Sequence, residues 1–198
     1  MPRRCPWSDS APDYRAYHDA EWGRPVTTDS GVLERICLEG FQSGLSWLTI
    51  LRKRDAFRRA FCGFDAARVA RFSERDVRRL LLDPSIVRSR PKIEAAIANA
   101  RAALELAQTG RSVAALVWSF APSPRRAAPR RLGDLPAITP ESISLAAELR
   151  RRGFRFVGPT TAYALMQAAG LVNDHLASCA FRAEVGRAQQ AARRALVR

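Results

Sequence analysis

Apolar residues recur along most of this chain at intervals of three and four positions, and residues typical of helix ends bracket them. Asp29 or Ser30 can cap one such helix. Its apolar face includes Val32 and Ile36, and Gly40 is expected just past its end. Because no segment alternates apolar and polar residues convincingly, as a half-buried strand would, the sequence predicts an all-α protein.

Further helices follow from the same signals of capping, proline placement and apolar periodicity. They are predicted after Gly44, after the capping box Ser73–Asp76, from Pro91 to just before Gly110, around Val113–Phe120, and from Thr139 to Gly153. Residues 1–181 are expected to form one domain, or two small lobes that share a core.

Two basic segments do not fit this pattern. Residues 121–131 contain three prolines and four arginines, so we expect an exposed loop, favoured as a solvated linker over a contact with phosphate. Residues 182–198 carry a net charge of +4 and are predicted to be a basic C-terminal tail, disordered in part.

Charge is distributed unevenly along the chain. The 198 residues carry 33 basic and 19 acidic side chains, a net charge of +14, whereas residues 1–50 are net −2. Such an excess favours a polyanionic partner. No apolar run is long enough to span a bilayer and the N-terminus lacks the apolar core of a signal peptide, so we expect a soluble, cytoplasmic protein with no membrane association. A monomer is the default expectation, because a ligand pocket would explain exposed aromatic residues.

The two histidines of the chain each have a cysteine at metal-ligand spacing, Cys5 with His18 and His175 with Cys179. The second pair is expected on one face of a helix, where positions i and i+4 can share an ion. The pattern predicts one structural zinc ion that joins the two ends of the chain, since four protein ligands leave no open coordination position. The alternative is that the cysteines are simply small buried apolar residues.

A short connection with glycine at both ends, Gly153-Phe154-Arg155-Phe156-Val157-Gly158, lies between two predicted helices. Glycine tolerates positive φ and leaves room for close backbone approach. The free amides at the start of the next helix could hold a DNA phosphate, with Arg155 adding charge and Gly158 leaving space. The alternative is an ordinary loop that Phe154 and Val157 anchor in the core.

Aromatic and acidic residues are concentrated in the first 47 positions. Trp7, Tyr14, Tyr17, Trp22 and Trp47 accompany Asp19, Glu21 and Glu39. Aromatic faces stack on flat heterocycles and attract positive charge, and a partly buried carboxylate accepts hydrogen bonds from ring nitrogens. The combination suits a flat cationic ligand, although the same aromatic residues could merely pack around the predicted metal.

Several ordered motifs resemble 3-methyladenine DNA glycosylase I over residues 5–179. They are Cys5-Pro6-Trp7, Tyr17-His18-Asp19-x-Glu21-Trp22-Gly23, Ile36-Cys37-Leu38-Glu39-Gly40, Gln42-x-Gly44-Leu45-Ser46-Trp47, Arg152-Gly153-Phe154-x-Phe156-Val157-Gly158 and Gly170-Leu171-Val172-Asn173-Asp174-His175. The resemblance implies a helix-hairpin-helix DNA glycosylase with two helical lobes around a base pocket, and a structural zinc on Cys5, His18, His175 and Cys179.

The resemblance also implies an activity, namely DNA repair by excision of 3-methyladenine from alkylated double-stranded DNA after base flipping. Glu39 would be the catalytic residue and contact the flipped base, and Tyr17 and Trp47 would stack on it. Trp7, Tyr14 and Trp22 would lie in or near the pocket. Gln42 and Leu45 would fill the space that the base vacates, although Leu45 could equally be a core residue at a helix start.

The lysines, Pro159 and Asp174 add further expectations about the reaction and about DNA binding. Strand cleavage normally needs an amine, and the only lysines, Lys53 and Lys92, are predicted to be solvated, so we expect base removal alone. Pro159 replaces a threonine common in the family and removes one amide, which predicts weaker DNA contact. Asp174 is expected to orient the zinc site or to cap a helix.

Two alternative functions from other classes stay open on the sequence alone. The protein could be a catalytically silent, zinc-stabilised DNA-binding module or a basic RNA-binding protein.

Overall fold

The computed structural model describes residues 2–123 and 127–196, and within them it contains helices and no strand. The prediction of an all-α protein is therefore confirmed. The α-helices are α1 (Pro12–Ala20), α2 (Asp29–Gln42), α3 (Trp47–Ala60), α4 (Ala66–Val69), α5 (Glu74–Leu82), α6 (Arg90–Gln108), α7 (Val113–Trp118), α8 (Pro140–Arg151), α9 (Pro159–Ala168) and α10 (Arg182–Leu196). Short 3₁₀ helices span Pro6–Ser10, Cys62–Phe64 and Leu132–Asp134.

Helix α2 is the central element, and it contacts α3, α6, α7 and α9. Its residues Val32, Leu33, Ile36 and Leu38 are almost fully buried. Apolar residues of α6 and α9 complete one large core around it. Since truncating one such buried side chain to alanine typically costs about 2–5 kcal/mol, this core holds α2 firmly in place. No helix in the described part of the chain is long and apolar enough to cross a membrane.

The cap of α2 differs from the predicted one. Thr28 caps the helix by accepting a hydrogen bond from the Gly31 amide at 3.2 Å. The Asp29 carboxylate instead accepts from the Ala114 amide at 2.9 Å and ties the start of α2 to α7. Tertiary packing thus assigns to Asp29 a different role from the local one that the sequence favoured.

Gly40 lies inside α2 and not past its end. A Cβ atom at this position would lie 3.2 Å from the Cβ of Phe156, in the connection between α8 and α9. Glycine is therefore present because another segment packs against the helix there. The sequence prediction was wrong because it took this glycine as a stop signal.

The C-terminal segment is helical over residues 182–196, so the prediction of partial disorder is wrong for this range. Val185 is buried, and a Cβ atom on Gly23 would lie 3.3 Å from it. The Gln189 amide donates to the backbone carbonyls of Gly23 at 2.6 Å and Val172 at 2.9 Å. Helix α10 therefore packs against Gly23, which follows the predicted ligand His18 in the chain, and against Val172, which precedes the predicted ligand His175.

The predicted basic loop is described only in part, because Pro124, Arg125 and Arg126 lie outside the described residues. Its later part is anchored. The Ala177 amide donates to the carbonyl of Pro129 at 2.7 Å, and the side chain of Arg131 is largely exposed while it pairs with Asp134.

Candidate functional site

A cavity of about 360 Å³ opens between the N-terminal segment, α2, the start of α3 and α9. This volume lies in the range of small-molecule sites, roughly 300–1,000 Å³. The lining residues are Trp7, Ser10, Tyr14, Tyr17, Trp22, Glu39, Gln42, Trp47, Leu135, Ala164, Gln167 and Ala168. All five aromatic residues singled out from the sequence thus lie on the wall of one cavity.

The aromatic rings hold one another in place. The ring centroids of Trp7 and Trp22 are 5.0 Å apart with the planes at 79°, and those of Trp7 and Tyr14 are 5.5 Å apart at 89°. Tyr17 and Trp47 are 5.5 Å apart at 52°. The two Trp7 contacts are edge-on, and such packing is favourable and fixes the ring orientation. Rigid π faces are therefore available to a flat ligand.

Glu39 is the acidic residue of the cavity and is buried on the inward face of α2. Burial raises the pKa of its carboxyl group to about 8, and the nearby Arg35 guanidinium offsets part of that rise. Among the described residues the Glu39 carboxyl has no hydrogen-bond partner. Because buried polar groups are almost always bonded, a carboxyl group in this position is suited to donors that a ligand brings.

The other acidic residues of the aromatic segment do not line the cavity. Glu21 binds Arg54 with contacts of 2.5 and 2.7 Å, and Arg35 lies 3.4 Å from it. Asp19 pairs with Arg4 at 2.7 Å. The Glu21 contacts join the N-terminal segment to α2 and α3, whereas the Asp19 pair lies within that segment. Glu39 is therefore the carboxylate left for ligand chemistry.

The four predicted metal ligands form a second, buried cluster. Their donor atoms, Cys5 Sγ, His18 Nε2, His175 Nδ1 and Cys179 Sγ, all lie within 4.8 Å of one another. The two imidazole nitrogens are 3.1 Å apart, and Cys179 Sγ lies 3.4 and 3.6 Å from them. With Zn–N about 2.0–2.1 Å and Zn–S about 2.3 Å, the edges of a tetrahedral site are about 3.3–3.8 Å. The donor set therefore fits zinc.

Outer contacts orient both imidazoles toward the centre of this cluster. His18 Nδ1 lies 2.8 Å from the Asp19 carboxylate, and His175 Nε2 lies 3.1 Å from the carbonyl of Trp22. Metal-bound histidines typically have such partners on the outer nitrogen. Burial raises the pKa of the Cys5 thiol to about 12 and lowers that of His175 to about 4, so without a cation both groups are neutral.

His175 and Cys179 are not on a helix, contrary to the prediction. They lie in the irregular segment between α9 and α10, where the Leu176 amide approaches Cys5 Sγ at 3.3 Å. Helix α9 stops because Gly170 has φ +79°, and a Cβ atom there would lie 2.7 Å from the backbone of Arg24. The spacing of four residues brings the ligands together through a turn.

Asp174 neither contacts the ligand side chains nor caps a helix in the described structure. Its Oδ2 atom accepts hydrogen bonds from the Tyr163 hydroxyl at 2.6 Å and from Gln167 Nε2 at 2.9 Å. Both donors lie on α9, so Asp174 joins the metal-ligand segment to a helix that lines the cavity.

The connection between α8 and α9 exposes a helix N-terminus. Phe154 and Val157 are buried, as the ordinary-loop interpretation expected, while the Arg155 side chain is exposed. Gly158 has φ −84°, and a Cβ atom there would meet nothing within 4 Å. The fold thus does not require glycine at 158, and the space beside it is open to a ligand.

Arg155 is positioned through its backbone. Its amide donates to Asn99 Oδ1 at 2.7 Å, and its carbonyl accepts from Asn99 Nδ2 at 3.3 Å. Asn99 is a buried residue of α6. This pair of hydrogen bonds keeps the connection rigid while the guanidinium reaches solvent.

Gln42 is the last residue of α2 and lines the cavity, and Leu45 lies between α2 and α3. Leu45 is 42% exposed, which rules out a core role. Lys92 is not simply solvated as predicted, because its ammonium donates to the carbonyls of Phe41 at 2.9 Å and Ser43 at 2.5 Å.

Lys53 is partly exposed and is also hydrogen-bonded. Its ammonium donates to the carbonyls of Pro84 at 3.0 Å and Ser85 at 3.2 Å. Neither lysine of the chain lines the cavity. Their cationic groups hold backbone carbonyls at loop and helix ends.

Sequence reasoning missed the wall that α9 contributes. Ala164, Gln167 and Ala168 face the cavity from this helix. Their spacing of three and four residues puts them on one helix face, and that signal is present in the sequence. It does not reveal which partner the face meets, because small and amide side chains suit both a core and a cavity.

A profile of the family described as methyladenine glycosylase matches residues 7–183. The chain belongs to this family. Methyladenine glycosylases hydrolyse N-glycosyl bonds, so the protein is an enzyme of that class. Residues 184–196, which make up most of α10, lie beyond the part that matches the family.

Several known methyladenine glycosylases are similar over almost their whole length. DNA-3-methyladenine glycosylase 1 of Escherichia coli (strain K12) is 48% identical over 177 residues, which are 89% of this chain and 95% of the relative. A crystal structure of 3-methyladenine DNA glycosylase I superposes with a TM-score of 0.87 at 49% identity, covering 90% and 98% of the two chains. The Staphylococcus aureus enzyme, solved to explain its recognition of 3-methyladenine, gives 0.86 at 33% identity, covering 90% and 96%.

Proposed function

We propose that this enzyme excises 3-methyladenine from alkylated double-stranded DNA by hydrolysing the N-glycosyl bond, and leaves an abasic site. The observation that carries the proposal is the buried Glu39 carboxyl group, which has no hydrogen-bond partner among the described residues and lies on the wall of an aromatic cavity. The activity named for the similar enzymes supports the same substrate.

The chemistry of the damaged base explains why this cavity suits it. Methylation at N3 puts a positive charge on adenine and weakens the bond to the sugar, so the base leaves neutral without a strong acid. Aromatic faces attract the cationic ring, and Tyr17 and Trp47 stack on it. Normal adenine lacks the charge and gains much less from the same groups.

Glu39 is the proposed catalytic residue. The raised pKa keeps it largely protonated when the cavity is empty, and a cationic base favours the ionised form. Ionised Glu39 accepts a hydrogen bond from the base and stabilises the positive charge that develops on the sugar while water attacks C1′. Recognition and rate enhancement then share one electrostatic origin.

Access to the cavity requires the base to leave the duplex, so base flipping is part of the proposal. Helix α8, the connection and helix α9 form the proposed helix-hairpin-helix element. The open N-terminus of α9 beside Gly158 binds a phosphate, and the exposed Arg155 adds charge. Exposed Leu45 and cavity-lining Gln42 are proposed to occupy the vacated space.

We assign a structural zinc ion to the Cys5, His18, His175 and Cys179 cluster. When bound, the ion cross-links the N-terminal segment to the segment that follows α9 and contributes folding energy. The cluster also packs against Trp7 and Trp22, two residues of the cavity wall. The proposed metal therefore supports the shape of the cavity.

The reaction is proposed to stop at base removal. A second step that cuts the strand normally starts with an amine, and both lysines hold backbone carbonyls away from the cavity. The enzyme is expected to act as a monomer. A cytoplasmic location and one independent domain over residues 1–181 stay predictions.

The decisive experiment is incubation of methylated duplex DNA with the protein, followed by chromatography of the released bases. We expect free 3-methyladenine and intact strands that break only after alkali treatment. Release should disappear with Glu39→Gln, provided that this variant folds normally. DNA binding without base release would instead identify a silent damage-binding module, and a covalent adduct trapped by borohydride would contradict base removal alone.

A further inference from the structure

Gln167 is a polar residue of the cavity wall that has no role in the reaction described so far. Gln167, on α9, lines the cavity, and its Nε2 atom donates to Asp174 Oδ2 at 2.9 Å. The same carboxylate oxygen accepts from the Tyr163 hydroxyl at 2.6 Å. Asp174 and Tyr163 are only 4% and 2% exposed. A buried, charge-assisted pair of hydrogen bonds thus supports Gln167 from behind.

This support determines which way the amide of Gln167 faces. A carboxylate only accepts hydrogen bonds, so the amide nitrogen must be the atom that meets Asp174. The amide oxygen is consequently directed away from Asp174. No described residue donates a hydrogen bond to that oxygen. Gln167, a residue of the cavity wall, is therefore left with an acceptor that has no donor among the described residues, as Glu39 is.

The methylated base offers a matching set of donors. In DNA, the 3-methyladenine ring carries N–H groups only on its exocyclic amine, and that amine has two hydrogens. The cavity wall contributes two acceptors that lack partners within the described chain, the Glu39 carboxylate and the Gln167 amide oxygen. One hydrogen for each acceptor satisfies all three groups.

We propose that Gln167 is a specificity-determining residue whose amide oxygen accepts a hydrogen bond from the exocyclic amine of the base, and that Asp174, supported by Tyr163, is a positioning residue that fixes the amide. The inference rests on the proposed function and extends it from the charge of the base to the substituent at ring position 6. A purine with a carbonyl there would place two acceptors against each other and be rejected.

The test compares binding of free 3-methyladenine and free 3-methylhypoxanthine, which has a carbonyl at position 6, by calorimetry. The wild-type protein should prefer 3-methyladenine, and Gln167→Met should reduce that preference by about tenfold, the typical effect of losing one hydrogen bond. Gln108→Met, the same exchange at an exposed helical position, should leave it unchanged. A wild-type preference retained by Gln167→Met would overturn the assignment.

Asp174→Asn tests the positioning role. An asparagine can also donate, so the Gln167 amide is no longer held in one orientation, and the preference should fall by a smaller factor than in Gln167→Met. In the Gln167→Met background the same change should have no further effect on the preference. Independent, additive losses would contradict a role that acts through Gln167. Thermal unfolding of each variant separates these effects from loss of stability.

Separate results would contradict the proposed glycosylase activity and the proposed role of Gln167. If the wild-type protein releases no 3-methyladenine from methylated DNA, the proposed function is wrong. If it releases the base and Gln167→Met keeps the full preference, the function stands and only the role of Gln167 is wrong.

Discussion

At the scale of single residues, Glu39 illustrates how a side chain can be retained at the expense of stability. Its carboxyl group is buried without a hydrogen bond from the described residues, and its pKa is raised to about 8. Groups of this kind commonly lie at functional sites, where the environment is organised for the ligand and not for the free protein.

The pH dependence of stability follows from this shift. Between the ordinary pKa of 4.5 and the folded value of about 8, the folded protein holds a proton that the unfolded chain has released. The free energy of unfolding therefore falls as pH rises through this window, by up to about 1.4 kcal/mol per pH unit from this group. Glu39→Gln should remove this component and be more stable than the wild type at pH 8.5.

Thermal unfolding at pH 5 and pH 8.5 checks this prediction. Glu105→Gln, at an exposed position of α6, serves as the control and should behave as the wild type at both values. A Glu39→Gln variant that is less stable than the wild type at pH 8.5 would mean that the carboxylate has a structural partner.

At the scale of elements, the connection between α8 and α9 has one side that packs against the protein and one side that is open. Phe156 of the connection packs on α2 at Gly40, whereas the space beside Gly158 is empty. We therefore expect an alanine substitution to have different effects at these two glycines.

Gly158→Ala should fold normally, because φ −84° suits alanine and a Cβ atom there meets nothing. The methyl group would occupy space that a phosphate needs, so we expect weaker binding to duplex DNA, by about tenfold, with unchanged binding of free 3-methyladenine. Fluorescence anisotropy at one fixed salt concentration measures the first quantity. Equal DNA affinity would place the phosphate site elsewhere.

Gly40→Ala should instead lower stability. Its Cβ atom would lie 3.2 Å from that of Phe156, whose φ of +56° is already unfavourable for a residue with a side chain. Overpacking of this kind costs about 1–3 kcal/mol. Urea unfolding of the two alanine variants compares their free energies of unfolding. If Gly40→Ala were as stable as Gly158→Ala, the connection between α8 and α9 would have moved to make room for the methyl group.

At the scale of the whole molecule, the cluster of Cys5, His18, His175 and Cys179 and the packing of α10 bring the two ends of the chain together. If zinc binds as proposed, the purified protein should contain one ion, and Cys179→Ser should lose it together with several kcal/mol of stability. Elemental analysis and thermal unfolding with and without a chelator provide the measurements. Cys62→Ser, at a half-buried cysteine outside the cluster, should keep the ion.

Helix α10 predicts a second effect at this scale. Removal of residues 184–198 deletes the buried Val185 side chain and both hydrogen bonds of Gln189. We expect the free energy of unfolding to fall by about 3 kcal/mol. Zinc should then be lost faster to a chelator, because Gln189 no longer holds Gly23 and Val172, which lie close in sequence to His18 and His175. Base excision at 25 °C should persist, since α10 does not line the cavity. An unchanged melting temperature would show that α10 packs too weakly to matter.

The sequence alone determined the helical class, the four Cys and His residues that the structure brings into one cluster, and the aromatic residues that line the cavity with Glu39. These signals are local or chemical. Helix periodicity reflects which face of a segment is buried, and only a few residue types can bind zinc or stack on a base. The positions could therefore be recognised without knowledge of their distances in space.

Only the tertiary structure decided how these residues are used. It showed Gly40 within a helix, Asp29 bonded to α7, His175 and Cys179 in a turn, and α10 folded against the chain. It also separated Glu39 from the paired acids and brought Gln167 to the cavity. The reason is physical: a hydrogen-bond partner, a close approach or a burial penalty depends on segments far apart in the chain, and no local pattern encodes which of them will meet.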